Sequence, residues 1–378
     1  MINPSQLSRD LIGSQIADKK LDKDLIKKNI VEIMDYAAKN RLLYRIMSSL
    51  DKDLLIELKL LDHYKGIEKI SIIRHMNTMF EIRKIAKIFN ESGARYVFLK
   101  GSYYKLLILE EPEKRYCDDI DILIDKNQVR PLTHLLLKEG YRFKRIKNPQ
   151  VNNFQENWSN QLPTIISPSG IPIDIHHRIS CPRAVEEQCK LSEILLDESK
   201  DVYYKGVSIK IPAWEHAFLH LIYNALNQDL FSLGPLFLYD LKDMLNFSTE
   251  ITDLEELAEE LGCKDELDLS LSLLKNLGYR NTFYFNYTDT KKTSNVLDLI
   301  LLGKKISNLS RSYKESNLLQ NFISSTNQKY LTGSPNLKNI HLFISHFIFK
   351  AFEISILSIR KMIYRKWVRN IKELKITN

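Results

Sequence analysis

Cysteine is scarce in this 378-residue chain: four residues, Cys117, Cys181, Cys189 and Cys263, with no CxxC pair among them. A disulfide scaffold or a structural zinc site is therefore not expected, and a reducing, cytoplasmic setting suits the chain better. Twelve glycines and eleven prolines are too few for a collagen-like or linker-dominated chain. Residues 1–20 contain no apolar run of the kind that makes a secretory signal. The most apolar stretch, 340–357, is interrupted by His341, His346, Lys350 and Glu353, so no membrane span is expected there. There is no GxxxxGKS/T and no GxGxxG, which removes the P-loop and Rossmann nucleotide sites. An HExxH pattern is absent too. His216 and His220 stand at i and i+4 with Glu215 in the wrong place, so packing on a helix is preferred to zinc. Internal repeats and low-complexity tracts are also missing.

What is present is a globular composition. Hydrophobic residues make up 44% of the chain, enough for a sizeable core, and the length suggests two or three domains. The 55 Lys and Arg against 47 Asp and Glu leave a mild excess of +8. That permits a polyanionic partner such as nucleotide, nucleic acid or an acidic membrane surface without requiring one. Part of the excess sits in the tail, from Arg360 to Lys375. With the apolar residues before it, this segment reads either as an interfacial helix on acidic lipid or as a packed C-terminal helix with a basic solvent face.

Periodicity divides the chain in three. Leu25, Ile26, Ile30, Ile33, Met34, Ala37 and Ala38 recur at helical spacing. So do Ile72, Ile73, Met76, Met79, Phe80, Ile82, Ile85, Ala86 and Phe89, a run that Gly93 should end. Short strand-like runs follow at 96–99, 120–124 and 141–146. Hairpins are expected at 164–176, around Pro168-Ser169-Gly170, and at 203–211, around Lys205-Gly206. Helical spacing returns from residue 212, with candidates at 213–227, 235–246, 253–261, 266–277, 294–305 and 337–366, and the polar stretch 307–335 reads as a long loop.

The chemistry concentrates in the middle third. Asp119 and Asp121 alternate with Ile120, Ile122 and Ile124, so the two acids share a strand face, about 7 Å apart at Cα. Two carboxylates on one face repel unless a cation lies between them, and hard oxygen donors favour Mg²⁺ or Mn²⁺. A solvated strand edge is the other reading. Asp118 points away by alternation and reads as a turn residue. Asp174 is a further acid on the polar face of the strand 171–176, as a metal ligand or as an ion-pair partner of Arg178 or Arg183. His176 shares its face and could bond to it or meet substrate. Gly101-Ser102 lies between a strand and a helix, where backbone N–H groups and a hydroxyl can meet phosphate. The plainer alternative is a helix cap by Ser102.

Together, Leu99-Lys100-Gly101-Ser102, then Arg115 with Asp119-Ile120-Asp121-Ile122-Leu123-Ile124, then Asp174-Ile175-His176 resemble the bacterial uncharacterised nucleotidyltransferase family. That family falls in the nucleotidyltransferase superfamily with a DNA polymerase beta-like palm. The resemblance spans roughly residues 75–245 and includes Tyr239-Asp240-Leu241 on a late helix. It implies that Gly101 and Ser102 hold a triphosphate and that Asp119, Asp121 and Asp174 hold metal. Lys100 and Arg115 match family positions, either as phosphate contacts or as braces of the acidic strand. Where the family commonly has a histidine, this chain has Asn224, so a role for that histidine does not transfer.

The expected fold is α+β. A small mixed-sheet palm (93–211) lies between an N-terminal helical segment (1–92) and a C-terminal helical domain (212–378). The expected function is Mg²⁺- or Mn²⁺-dependent transfer of a nucleotidyl group from an NTP to a hydroxyl on a small molecule, a protein or an RNA, tRNA included. The catalytic residues would be Asp119, Asp121 and Asp174. Lys100, Gly101, Ser102 and Arg115 would bind nucleotide, and His176, Asn224 and Asp240 would face the acceptor. The competing class is a palm that binds nucleotide or RNA without turnover. Finally, the helix pair carrying His220, Asn224 and Asp240 is expected to wall the cleft.

Overall fold

The computed structural model describes residues 4–144, 160–179, 186–225, 234–248, 254–280 and, further on, residues 293, 296–298, 300 and 301. The chain divides into two compact units, residues 1–310 and 311–378. The loop expected at 307–335, the helix at 337–366 and the cations of the tail lie outside the described residues, as do Arg183, Cys181 and the Cys189 side chain.

Five strands make one mixed sheet: β1 (Tyr96–Leu99), β2 (Ile120–Ile124), β3 (Arg142–Phe143), β4 (Ile165–Ile166) and β5 (Pro172–His176), in the order β1-β2-β5-β4-β3. Only β2 and β5 run parallel; the other neighbours are antiparallel. All of β1 and β2 is buried, so these two strands read as continuous apolar runs broken by Asp121. The helix Glu186–Asp197 packs on β1 and β2, which covers one face. β6 (Lys200–Tyr204) and β7 (Val207–Ile211) form a separate antiparallel hairpin, as expected from Lys205-Gly206. The first expected hairpin is the β4–β5 pair.

Helices precede and follow the sheet. In the helix Lys23–Lys39, Asp22 caps the start by accepting from the Asp24 and Leu25 N–H groups, and Ile26, Ile33 and Ala37 are buried. The long helix Leu61–Glu91 ends at Gly93, whose φ of +66° lets the chain turn back while Ala94 N–H donates to Phe89 O. Its apolar spacing overstates its burial. Met79, Ile82, Ile85, Ala86 and Phe89 enter the core, but Ile73, Met76 and Phe80 are 48%, 62% and 60% exposed. The helix packs on β7, on the short helices Leu43–Ser48 and Lys52–Glu57, on the turn Pro112–Lys114 and on the helix Val129–Lys138.

After the hairpin come the helices Trp214–Tyr223, Leu236–Phe247, Leu254–Glu260 and Lys264–Asn276. One hydrophobic core runs through these helices, the sheet and the N-terminal helices. Polar contacts bind the two ends of the described chain together: Arg9 pairs with Asp298 at 2.7 Å, and Tyr36 Oη donates to Leu301 O. The fold is α+β. No helix among the described residues is long and apolar enough to cross a membrane.

Candidate active site

The site begins where β1 ends. Leu99 stands opposite Asp121, and the next residue, Lys100, has a left-handed φ of +44°. That turn converts strand into the short helix Lys100–Tyr103 and a following π-helical turn, Tyr104–Ile108. It also sets Lys100 Nζ on Asp121 Oδ1 at 2.9 Å. A non-glycine residue held in that region costs about 1–3 kcal/mol and persists only where its surroundings enforce it. Gly101 follows because of a close approach: a Cβ there would overlap Cys117 Sγ and meet Arg115 Nη1 at 3.1 Å. Ser102 does not cap the helix. Its residue is fully buried and its Oγ has no hydrogen-bond partner.

The three acids meet across two neighbouring strands. Asp119 immediately precedes β2, Asp121 lies within it, and Asp174 on β5 is the direct parallel partner of Asp121. Asp121 is buried and accepts from both Lys100 Nζ and His176 Nε2, each at 2.9 Å. Burial alone would raise its pKa, but Lys100 and His176 outweigh burial and hold it below the usual carboxylate range. For Asp119 the positive field of Lys100 is too weak to offset burial. Burial, with Asp121 and Asp174 beside it, pushes its carboxyl up to about 7. Asp174 Oδ1 is buried and has no hydrogen-bond partner. His176, two residues beyond Asp174 on β5 and on the same face, bonds through its ring diagonally to Asp121.

A cleft of about 270 Å³ opens over this face. Lys100, Gly101, Asp119, Asp121 and Asp174 line its floor, and His220, Leu221, Asn224 and Asp240 from the helices Trp214–Tyr223 and Leu236–Phe247 line its wall. Ser102 and His176 are not among the lining residues. The His220 imidazole is pushed down to about 3 by burial, with the positive field of Lys100 adding to it, so the ring is neutral at ordinary pH. Arg115 reaches the cleft but is committed to Asp240: Nε and Nη2 each donate to one carboxylate oxygen at 2.7 Å, with both side chains buried. This bidentate pair, with Arg115 over the Tyr104 ring at 4.5 Å, locks the segment before β2 to the helical wall. Arg115 is thus a brace in this structure, and Asp240 is its counterion.

Sequence reasoning missed the cleft mouth. Arg41, Tyr116 and Asp118 line it, and the Asp118 carboxylate pairs with Arg41. Arg41 sits far from the palm in the chain, and no motif marks it.

The donor set suits a hard divalent cation: three carboxylates, one with a buried unpartnered oxygen and one whose charge its neighbours oppose. As they stand, no three His, Cys, Asp or Glu side chains among the described residues converge on a single ion. Asp121 Oδ1 is taken up by Lys100 and His176. Among comparisons with known proteins, no curated protein matches the chain. A family model described as an uncharacterised nucleotidyltransferase matches residues 27–289, which takes in the sheet, all three acids and the helical wall. The chain belongs to the uncharacterised nucleotidyltransferase family.

Proposed function

We propose that the chain moves a nucleotidyl group from an NTP to a hydroxyl acceptor, with Mg²⁺ or Mn²⁺ held by Asp119, Asp121 and Asp174. The observation that carries this reading is the parallel register of Asp121 with Asp174, with Asp119 two residues before, at the floor of a cleft. A bound divalent cation would neutralise phosphate charge and make the acceptor hydroxyl more acidic.

The chain's own groups divide the remaining work. Asp174 Oδ1, unpartnered, accepts a hydrogen bond from the acceptor hydroxyl and takes its proton as the oxygen attacks the α-phosphorus. The bond from the α-phosphorus to the bridging oxygen breaks, and pyrophosphate leaves with that electron pair. Lys100 Nζ, beside Asp121, donates to the departing phosphates, and Gly101 allows their backbone approach at the head of the short helix. His176 holds Asp121 in place through its ring nitrogen. Asn224 presents an amide on the wall where the acceptor would lie.

The test uses the full chain, each NTP labelled at the α- or the γ-phosphate, Mg²⁺ and a fractionated cell lysate. The α-label should pass to one fraction and the γ-label should leave as pyrophosphate. The labelled fraction also identifies the acceptor as small molecule, protein or RNA. Nucleotide binding with no transfer of either label would instead make the chain a binding module.

A further inference from the structure

The cleft mouth carries a cationic cluster that the reaction above does not use. Arg41, in the turn after the helix Lys23–Lys39, has a left-handed φ of +63° and lines the cleft. Its Nη2 donates to Asp118 Oδ2 at 2.6 Å. From the long helix, Arg74 Nη1 stands 4.0 Å from Asp118 Oδ1. The Tyr116 ring lies against both guanidiniums, with centroid distances of 5.8 Å to Arg41 and 4.3 Å to Arg74.

Two features separate this cluster from an ordinary surface ion pair. Two guanidiniums share one carboxylate, which leaves a positive charge in excess. Arg41 Nε is buried with no hydrogen-bond partner, so the fork has a donor to spare. The left-handed φ of Arg41 belongs to the end of the helix Lys23–Lys39, where Arg41 N–H donates to Ala38 O and Leu42 N–H to Ala37 O. Planar guanidinium forks match phosphate oxygens as well as carboxylate. Asp118 is also the chain neighbour of Asp119, so an anion held here adjoins the acids.

We propose that Arg41 and Arg74 hold a phosphate of the nucleotide's triphosphate tail, and that Asp118 occupies their fork in the ligand-free chain until that phosphate displaces it. This assignment rests on the nucleotidyl-transfer reading of the adjoining acids. It makes the N-terminal helical segment part of the substrate site and gives the cleft a preference for triphosphates over monophosphates.

The test is calorimetry on the full chain with inorganic tripolyphosphate, with each NTP in Mg²⁺ and with the matching NMP. Arg41→Ala, Arg74→Gln and Asp118→Asn are compared with the parent. Either arginine variant should weaken tripolyphosphate and NTP binding by about 10-fold or more, the loss of one charge-assisted hydrogen bond. NMP binding should be unchanged. Asp118→Asn should tighten both triphosphate ligands, because it removes the internal competitor; a structural ion pair predicts no such gain. If Arg41→Ala does not fold, Arg74→Gln and Asp118→Asn decide. NTP binding and turnover that ignore all the substitutions would overturn the inference and leave nucleotidyl transfer standing. Tripolyphosphate binding with the expected pattern, in a chain that binds no NTP, would keep the phosphate site and sink the nucleotidyl reading.

Discussion

At the scale of single residues, the most informative group is Asp119. Burial, Asp121 and Asp174 push its carboxyl up to about 7, against about 3.9 for an ordinary aspartate. A carboxyl raised on folding adds stability that is fully present below its unfolded pKa and is lost as pH rises through the folded value. The metal-free chain should therefore lose stability from this group between about pH 4 and pH 7. Asp119→Asn removes the penalty. Its melting temperature should match the parent near pH 4 and exceed it at pH 8, and Mg²⁺ should narrow the gap by stabilising the parent. Equal melting temperatures at pH 8 without metal would mean that Asp119 is well solvated. The alternation of Asp119 and Asp121 with isoleucines was legible in the sequence because it is a local pattern. The partners of Arg115 and His176 were not. Asp240 lies 125 positions from Arg115, and His176 finds Asp121 only through the strand register.

At the scale of elements, the turn between β1 and the helix Lys100–Tyr103 joins local strain to the site. A glycine between a strand and a helix suggested phosphate approach, and the structure adds a second cause that no local pattern could reveal. Cys117 Sγ, on the segment leading into β2, occupies the space of a Gly101 Cβ. Gly101→Ala should destabilise the fold by about 1–3 kcal/mol through overpacking. Adding Cys117→Ala should recover much of that loss, because the overlap is with the sulfur. Chemical denaturation of the single and double variants checks this; no recovery would place the conflict in the backbone. Gly101→Val, by the same reasoning, reports on folding before it reports on phosphate. Periodicity located the long helix Leu61–Glu91 but not its burial, since spacing says nothing about how far a packing partner extends. Ile73, Met76 and Phe80 continue the pattern into solvent.

At the scale of the described molecule, the cleft is assembled from three stretches of chain. The sheet supplies the acids, the helices Trp214–Tyr223 and Leu236–Phe247 supply the wall, and the turn at Arg41 supplies the mouth. The first two were expected: the motif residues carry the sheet, and the helices that follow the palm were the nearest chain able to close it. The third was invisible, because one arginine between two helices has no signature until the fold brings it to Asp118. The central claim is that Asp119, Asp121 and Asp174 act as one cation site for NTP. Its most direct test is NTP binding by calorimetry with and without Mg²⁺, on the parent and on Asp119→Asn, Asp121→Asn and Asp174→Asn. Mg²⁺ should tighten NTP binding to the parent, and each single substitution should remove that gain while the chain stays folded. A gain that survives in all three variants would contradict the site.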